Sequence, residues 1–233
     1  MREPGPLLAA GRDSEIFEYG PHRVLRRARG GRSLAGEAHT MEYVRAQGYP
    51  VPAVEELSDD GRDLVMERIE GRPLADAMVR APWRLRHYGG VLAELHEQLH
   101  DIAAPDFLAP APVGAGSSIV HLDLHPLNVM VGPKGPVVID WSNAARGDGR
   151  VDAALAWIVV AGARIPGRIV PLLMGWARNL VVEGFLDRFD RAALLEVARE
   201  TVRWKANDAN LFPDEVASMW RVVDDAERRA GRR

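Results

Sequence analysis

The sequence has 233 residues, no cysteine and a formal net charge of −3. Its length suits one large domain or two lobes around one cleft, and the absence of cysteine excludes disulfides and thiolate chemistry. The weakly negative charge gives no reason to expect a nucleic-acid partner. No apolar run is long enough to span a bilayer and the first residues lack the apolar core of a signal peptide, so we expect a cytoplasmic protein without a membrane partner.

The first third of the chain predicts a β-rich segment. Short strands are expected at residues 7–10, 15–19 and 23–27, and two more at residues 53–57 and 62–67, with polar or glycine-containing turns between them. The turn at residues 11–14 contains one glycine and ends at Ser14. On its own, this turn predicts an ordinary hairpin connection.

A helix is predicted between the strands, from Ser33, which can cap its first turn, to about Gln47, with Gly48 as the stop signal. At about 100° per residue, its apolar stripe places Glu37 on the inward face. Glu37 can therefore pair with a buried cation or make only a surface contact, and the periodicity allows both. The stripe consists of Leu34, Ala38, Met41 and Val44.

Two helices are predicted next, at residues 73–80 and 83–102. The second contains His96-Glu97-Gln98-Leu99-His100, which matches the His-Glu-x-x-His pattern of zinc hydrolases. Both histidines fall on the edge of the apolar stripe and Glu97 on the far side, so a metal pair is geometrically possible. A third ligand would be required, and no recognisable set follows downstream. A zinc hydrolase is therefore a remote alternative.

The stretch from residue 119 to residue 140 carries the most specific pattern. After a Pro-, Ala- and Gly-rich linker at 103–118, two apolar runs at 129–131 and 137–139 flank Gly132-Pro133-Lys134-Gly135, which predicts a β-hairpin. If Val131 pairs with Pro136, Asn128 and Asp140 lie almost opposite each other at the open end. With Asp123 five residues upstream of Asn128, three oxygen-bearing side chains can face one Mg²⁺-sized volume.

The pattern His121-x-Asp123-x-x-x-x-Asn128 followed by Ile139-Asp140-Trp141 resembles the catalytic loop and metal-binding aspartate of the aminoglycoside phosphotransferase and choline kinase-like family, small-molecule relatives of the protein kinases. The resemblance implies that Asp123 is the catalytic base, that Asn128 and Asp140 bind Mg²⁺, and that His121 supports the loop. It extends over roughly residues 7–220. It implies an α+β, protein kinase-like two-lobed fold with a small β-rich nucleotide-binding lobe containing one helix at residues 1–70, and a mostly helical catalytic and acceptor-binding lobe at residues 71–233.

The same resemblance implies where the nucleotide binds. The turn ending at Ser14 would cover the phosphates, Arg26 stands where the family has a phosphate-binding lysine, and Glu37 would be its partner. Backbone groups from Glu67 to Ile69 would hold the purine edge. Lysine occurs only at positions 134 and 205. No lysine precedes residue 134, so arginine at residue 26 is a true departure from the family pattern. Replacing lysine by arginine is not conservative at a phosphate site.

The carboxy-terminal part predicts a short loop at residues 142–149 and a helix at 149–162 capped by Asp148. Asp152 resembles the family's structural aspartate that braces the catalytic loop, and a solvated first-turn carboxylate is the alternative. Three more helices are predicted at 167–187, 190–206 and 213–229, with Trp176 on a core-facing side. The acids Glu183, Asp187, Asp208 and Asp214 could bind a cationic acceptor, whereas Arg178, Arg203 and Arg221 could bind an anionic one.

These observations predict a Mg²⁺-dependent phosphotransferase that moves the γ-phosphate of ATP or GTP to a hydroxyl of a small molecule. The alternative is a catalytically weak or inactive kinase-like binding module, because Arg26 replaces the lysine and the turn before Ser14 has a single glycine. The linker at 103–118 takes the place of a helical insertion near the acceptor pocket of antibiotic-phosphorylating relatives, which counts against a bulky aminoglycoside. The sequence leaves the acceptor and the oligomeric state open.

Overall fold

A computed structural model describes residues 3–11, 13–163, 170–208 and 211–231, with only the backbone described at 170–174. The chain forms two compact units. The first contains the described residues up to Pro73 together with Asn128–Ala144, and the second contains Leu74–Leu127 and the described residues from Ala145 onward.

The strands and helices follow the order that the sequence predicts, with three short strands, Arg72–Pro73, Ser118–Val120 and Ala145–Gly147, in addition. The β-strands are β1 (Leu7–Ala10), β2 (Ser14–Glu18), β3 (Arg23–Ala28), β4 (Val54–Leu57), β5 (Asp63–Glu67), β6 (Arg72–Pro73), β7 (Ser118–Val120), β8 (Val129–Gly132), β9 (Gly135–Val138) and β10 (Ala145–Gly147). The α-helices are α1 (Ala35–Ala46), α2 (Leu74–Arg80), α3 (Leu85–His100), α4 (Gly149–Gly162), α5 (Val170–Leu186), α6 (Arg191–Lys205) and α7 (Pro213–Ala230).

The first unit is built on an antiparallel sheet of five strands in the order β1-β2-β3-β5-β4. Tyr19, Leu25 and Val65 form a buried cluster on it. The central strand β3 pairs with β2 and β5 on its two sides, so Arg26 lies opposite Ile16 on one neighbour and Leu64 on the other. Arg26 therefore lies on the central strand of the sheet. Because side chains alternate between the two faces of a strand, its charged side chain projects from one face of the sheet.

Helix α1 covers a face of this unit with Ala38, Met41 and Val44 buried, as its periodicity predicts. The predicted start is wrong by one residue, because Leu34 is the N-cap. Ser33 lies one residue earlier, and its hydroxyl oxygen accepts a hydrogen bond from the Ala35 N–H at 3.2 Å. The predicted stop is confirmed, since Gly48 has φ of +84°, a conformation that favours glycine.

A second sheet in the first unit has the order β6-β8-β9. Its β8–β9 hairpin has the predicted register, with Val131 opposite Pro136 and Gly132 opposite Gly135. Gly135 has φ of +113°, so the glycine at this turn position is needed for its backbone conformation.

The second unit is mostly helical, with α3 packed on α5 and α4 packed on both α6 and α7. Its one described sheet joins β7 to β10 in antiparallel order. Strand β10 lies where the sequence analysis predicts only a loop, and Ala145 and Val120 pair within a buried cluster. A run of three residues is too short to show strand periodicity, which is why the sequence does not reveal it.

Helix α5 corrects a second expectation, because Trp176 is 59% exposed and does not lie in the core. The predicted first residues of this helix, 167–169, lie outside the described residues. No helix in the described part of the chain is both long enough and apolar enough to cross a bilayer.

Candidate active site

The β8–β9 hairpin brings the two predicted metal ligands to its open end. The Ile139 N–H donates to the Asn128 carbonyl at 2.9 Å, so Asp140 follows directly after the last paired residue. Asp140 has φ of +65°, an uncommon conformation for a non-glycine residue. The next residue, Trp141, is 1% exposed, and its indole N–H donates to the Val138 carbonyl at 3.1 Å. The strand and the buried indole thus fix Asp140 on both sides.

Arg26 connects this hairpin to the N-terminal sheet of the same unit. Its Nη1 lies 2.8 Å from Glu37 Oε1, and its Nη2 donates to Asp140 Oδ1 at 2.8 Å. The Arg26 and Glu37 side chains are 8% and 4% exposed, whereas Asp140 is 39% exposed. The ion pair between Arg26 and Glu37 is the one that helix periodicity allows. The sequence does not indicate that the guanidinium also binds Asp140.

Burial and charge oppose each other at this triad. Burial disfavours the charged form of Arg26, but the carboxylates of Glu37 and Asp140 outweigh it and raise the pKa of Arg26. Burial raises the pKa of Glu37 above its usual range, with the Arg26 charge acting in the opposite direction. One guanidinium therefore balances two carboxylates, and Glu37 depends on it because a buried carboxylate without a partner is costly.

The other residues predicted to hold the nucleotide lie along the same sheet. Ser14 begins β2 opposite Ala28, Glu67 ends β5, and Ile69 follows two residues later. The Glu67 carboxylate accepts a hydrogen bond from the Ala53 N–H at 3.2 Å. The structure brings Arg26, Glu37 and Asp140 into direct contact, and it places Ser14, Glu67 and Ile69 separately on β2, on β5 and after β5.

In the second unit, Asp152 holds the loop that leads to Asp123. Its Oδ2 accepts from the His121 N–H at 2.8 Å, and its Oδ1 accepts from the Leu122 N–H at 2.7 Å. Leu122 has φ of +60°, so these bonds stabilise a strained turn. Asp152 is 1% exposed, which rules out the alternative of a solvated first-turn carboxylate. Asp152 therefore braces the backbone immediately before Asp123.

A histidine cluster surrounds the Asp152 carboxylate. Burial by itself raises the pKa of Asp152, but a hydrogen bond with His100 at 3.2 Å and the nearby His96 and His121 rings hold that pKa well below its usual range. His96 is fully buried, and its Nδ1–H donates to the Leu92 carbonyl at 2.8 Å. Burial lowers the pKa of His96 to about 4, so its ring is neutral at physiological pH.

This cluster gives the His-Glu-x-x-His pattern another explanation. The expectation that both histidines lie at the edge of the stripe is wrong for His96, which packs edge to face on Phe185 with ring centroids 5.3 Å apart. His100 faces Asp152, and Glu97 accepts from Arg188 Nε at 2.6 Å. Within the described ranges, no group of three or more His, Asp or Glu side chains is arranged to hold a metal. The structure gives no support to a zinc site.

Asp123 itself lies near the side-chain nitrogens of His125 and Lys205 in the second unit. Its Oδ1 lies 3.7 Å from His125 Nε2 and 3.9 Å from Lys205 Nζ. The Lys205 ammonium also lies 3.0 Å from Asp208 Oδ2 and 5.9 Å from the centroid of the Trp204 ring. No local pattern in the sequence indicates the contact between Lys205 and Asp123, although Lys205 is one of only two lysines in the chain.

The sequence profile of the phosphotransferase enzyme family matches residues 7–114 and 102–194, which together span most of the chain. The chain belongs to the phosphotransferase enzyme family. This result confirms the family that the catalytic-loop pattern indicates. A search of curated protein sequences finds no significant match.

Several solved structures share the fold of this chain. A choline/ethanolamine kinase family protein from Mesorhizobium loti has a TM-score of 0.63 at 13% identity, covering 95% of this chain and 88% of that one. Aminoglycoside phosphotransferase APH(4)-Ia in a ternary complex with ADP and hygromycin B has a TM-score of 0.60 at 16% identity, covering 96% and 92%. Amicoumacin kinase hAmiN with AMP-PNP, Ca²⁺ and amicoumacin has a TM-score of 0.54 at 16% identity, covering 96% and 88%. At these identities the likeness establishes the fold, and it confirms the predicted α+β, kinase-like class with a β-rich N-terminal part and a helical C-terminal part.

The acidic residues considered for a cationic acceptor are largely paired within this phosphotransferase-family chain. Arg86 lies 2.6 Å from Asp187 Oδ2 and 3.8 Å from Glu183 Oε2, and Asp208 contacts Lys205. Glu183, Asp187 and Asp208 thus each have an internal cation as partner. Their negative charge is partly neutralised before any acceptor arrives.

Proposed function

We propose that this phosphotransferase-family protein moves the γ-phosphate of ATP or GTP to a hydroxyl of a small molecule, in a Mg²⁺-dependent reaction with Asp123 as the base. The observation that carries this proposal is the brace on the loop before Asp123, where Asp152 binds two successive backbone N–H groups. Phosphoryl transfer requires a carboxylate held in place to accept the proton of the attacking hydroxyl. Two of the proteins with the same fold are named as complexes with ADP or AMP-PNP, which supports a nucleotide donor.

The donor chemistry of the hairpin fits Mg²⁺. Asn128 offers an amide oxygen, and Asp140 offers a carboxylate that remains partly exposed. Mg²⁺ prefers one or two such protein ligands and completes its coordination with water and substrate phosphates. When bound, the metal supplies positive charge to the phosphate oxygens. Asn128 and Asp140 would hold it.

The side chains of the protein then have distinct tasks. Asp123 orients the acceptor hydroxyl and takes its proton as the hydroxyl oxygen forms the new bond to Pγ. The bond from Pγ to the bridging oxygen breaks, and ADP or GDP leaves with that electron pair. Arg26, held by Glu37, contributes positive charge on the side of the donor phosphates, and Ser14 and the backbone from Glu67 to Ile69 contribute to nucleotide binding.

The decisive experiment compares Asp123→Ala with the parental protein. A panel of hydroxylated metabolites and antibiotics is assayed with ATP and with GTP in the presence of Mg²⁺. Asp123→Ala should abolish turnover and leave nucleotide affinity within about threefold, because the base is needed only for the chemical step. Asp106→Ala is the control, since the Asp106 side chain is fully exposed and should not affect turnover. An Asp123→Ala protein that phosphorylates its acceptor at the parental rate would refute the assignment of the base.

A nucleotide-binding module without useful catalysis is the second candidate, and one observation favours it. The Arg26 guanidinium donates to Asp140 Oδ1, an oxygen of a proposed metal ligand. This alternative predicts that ATP or GTP stabilises the protein against heat in the presence of Mg²⁺. It also predicts that no panel member is phosphorylated and that the nucleotide is not slowly hydrolysed.

A further inference from the structure

The Lys205 side chain is unusual among the cations of the second unit because it is almost buried. It is 11% exposed, whereas the ion-paired side chains of Arg86, Arg150, Arg188 and Arg199 are 44–61% exposed. Lysine is rarely buried unless a partner holds its charge. Its two carboxylate neighbours are Asp208 and the proposed catalytic Asp123.

A simpler role for Lys205 would be to stabilise the C-terminal end of α6. Lys205 is the last residue of α6, where a cation is favourable beside the negative end of the helix dipole, and Asp208 lies three residues later. A lysine with only this role normally keeps its ammonium in water. Here the side chain is instead withdrawn from solvent and reaches Asp123, which lies 82 positions earlier in the chain.

Both ends of this contact are anchored in the same hydrophobic cluster. Val120 and Leu122, on either side of His121, belong to a buried cluster against which Trp204 packs. Trp204 immediately precedes Lys205, and the ammonium lies 5.9 Å from the centroid of its ring, within the range of a cation–π contact. Helix α6 is fixed by its buried residues Leu194, Ala198, Thr201 and Val202. The position of the ammonium relative to Asp123 is therefore set by packed elements.

We propose that Lys205 is a positioning residue for the catalytic carboxylate. Its ammonium, held by Asp208, fixes the Oδ1 edge of Asp123, the same edge that His125 approaches. A carboxylate fixed at one edge presents a defined direction to the hydroxyl whose proton it accepts. This inference rests on the proposed role of Asp123 as the base.

The kinetic test uses the two lysines of the chain as a matched pair. Lys205→Met should lower kcat by up to about 100-fold and leave the KM for nucleotide within about twofold, because a misdirected base affects chemistry more than binding. Lys205→Arg should recover a substantial part of kcat, since it restores the charge. Lys134→Met is the control, because Lys134 lies exposed in the β8–β9 turn and should leave kcat unchanged. A Lys205→Met protein with kcat within twofold of the parent would overturn the proposal.

A second measurement does not depend on activity. Reductive ¹³C-methylation labels primary amines, and in a chain with only two lysines Lys134→Arg and Lys205→Met assign the two lysine NMR signals and separate them from that of an α-amino group. In Asp123→Asn protein the Lys205 signal should shift and the Lys134 signal should not, and Asp106→Asn should move neither. A Lys205 signal unchanged by Asp123→Asn would refute the contact while the proposed function stands. A parental protein that is inactive on the whole panel would refute the proposed function instead, and the NMR comparison would still decide whether the ammonium holds Asp123.

Discussion

At the scale of single residues, Arg26 links two carboxylates of the first unit, those of Glu37 and Asp140. A lysine at this position could satisfy Glu37 with one ammonium, but a guanidinium has two terminal nitrogens and binds Glu37 and Asp140 at once. The contact uses one of the Asp140 oxygens and neutralises part of its charge. Any cation that needs Asp140 must therefore compete with Arg26.

Arg26→Lys should make the protein bind divalent metal more tightly. The ammonium retains the pair with the buried Glu37 but cannot make both contacts, so Asp140 loses a charge-assisted hydrogen bond. Freeing one such bond should increase the affinity for Mn²⁺, in the presence of a fixed concentration of nucleotide, by about 10-fold. Titration followed by electron paramagnetic resonance measures this affinity. Arg29→Lys is the control, because Arg29 binds Glu15 and the Gly11 carbonyl. An unchanged or lower affinity in Arg26→Lys would contradict the prediction.

The residue scale also shows where sequence reasoning stops. Helix periodicity is sufficient to place Glu37 on the inward face, and the hairpin register is sufficient to place Asn128 and Asp140 at one end. The contacts between Arg26 and Asp140 and between Lys205 and Asp123 join residues 114 and 82 positions apart, where no local period applies. Such contacts depend on how whole elements pack, so they become visible only in the structure.

At the scale of elements, the pairing of α3 with α5 depends on glycine at the contact. A Cβ on Gly89 would lie 2.1 Å from the Val181 carbonyl oxygen, and a Cβ on Gly184 would lie 2.0 Å from the Arg86 carbonyl oxygen. The two backbones therefore touch with no side chain between them. This close approach brings Phe185 onto the buried His96 ring, at 5.3 Å between ring centroids.

Gly89→Ala should destabilise the protein, whereas the neighbouring Gly90→Ala should not. The methyl group at residue 89 would collide with backbone atoms of α5, which cannot move as a side chain can, and overpacking of this kind costs about 1–3 kcal/mol. At residue 90 the nearest atom would be 3.9 Å away, so the substitution should stabilise the helix by about 1 kcal/mol. Urea unfolding of both variants measures the difference. Equal midpoints would show that the helices are not in such close contact.

The elements that the sequence predicts well are those with a clear period or punctuation. The hairpin, helix α3 and the cap at Asp148 have such signals, and the Asp148 carboxylate accepts from the Arg150 N–H at 2.8 Å as expected of a cap. The sequence misses the short strands β6, β7 and β10. It also places Trp176 in the core, because amphipathic spacing in α5 does not reveal which side of that long apolar helix has a neighbour. Tertiary packing decides these cases.

At the scale of the whole molecule, the stability of the fold should depend on pH through the buried histidine cluster. His96 has a pKa of about 4 in the folded protein, well below the ordinary value of 6.5, because burial disfavours its charged form. Between these two values the unfolded chain binds a proton that the folded chain does not. His96 therefore makes its full contribution to the free energy of unfolding above pH 6.5. This contribution decreases by about 3 kcal/mol in total as the pH falls towards 4.

The pKa shifts of Asp152 and Glu37 differ from that of His96 in range or in sign. The lowered pKa of Asp152 means that its contribution is lost only below the ordinary range of an aspartate, so it does not titrate between pH 6.5 and 4. Glu37 acts in the opposite direction, because a raised pKa makes the folded state bind a proton more readily as the pH falls. A comparison of the parental protein with a variant at residue 96 removes the contribution of Glu37, since both proteins contain it.

His96→Leu should therefore make stability less dependent on pH. Leucine fills a similar space against Phe185 and cannot bind a proton, so the difference in unfolding free energy between variant and parent should move in favour of the variant by about 2–3 kcal/mol from pH 7 to pH 4. Urea unfolding at pH 7, 5.5 and 4 measures the difference. His39→Leu is the matched control for replacing a histidine by leucine, because His39 is exposed on α1. Parallel curves for the parent and His96→Leu would show that His96 is not held neutral by burial in the folded protein.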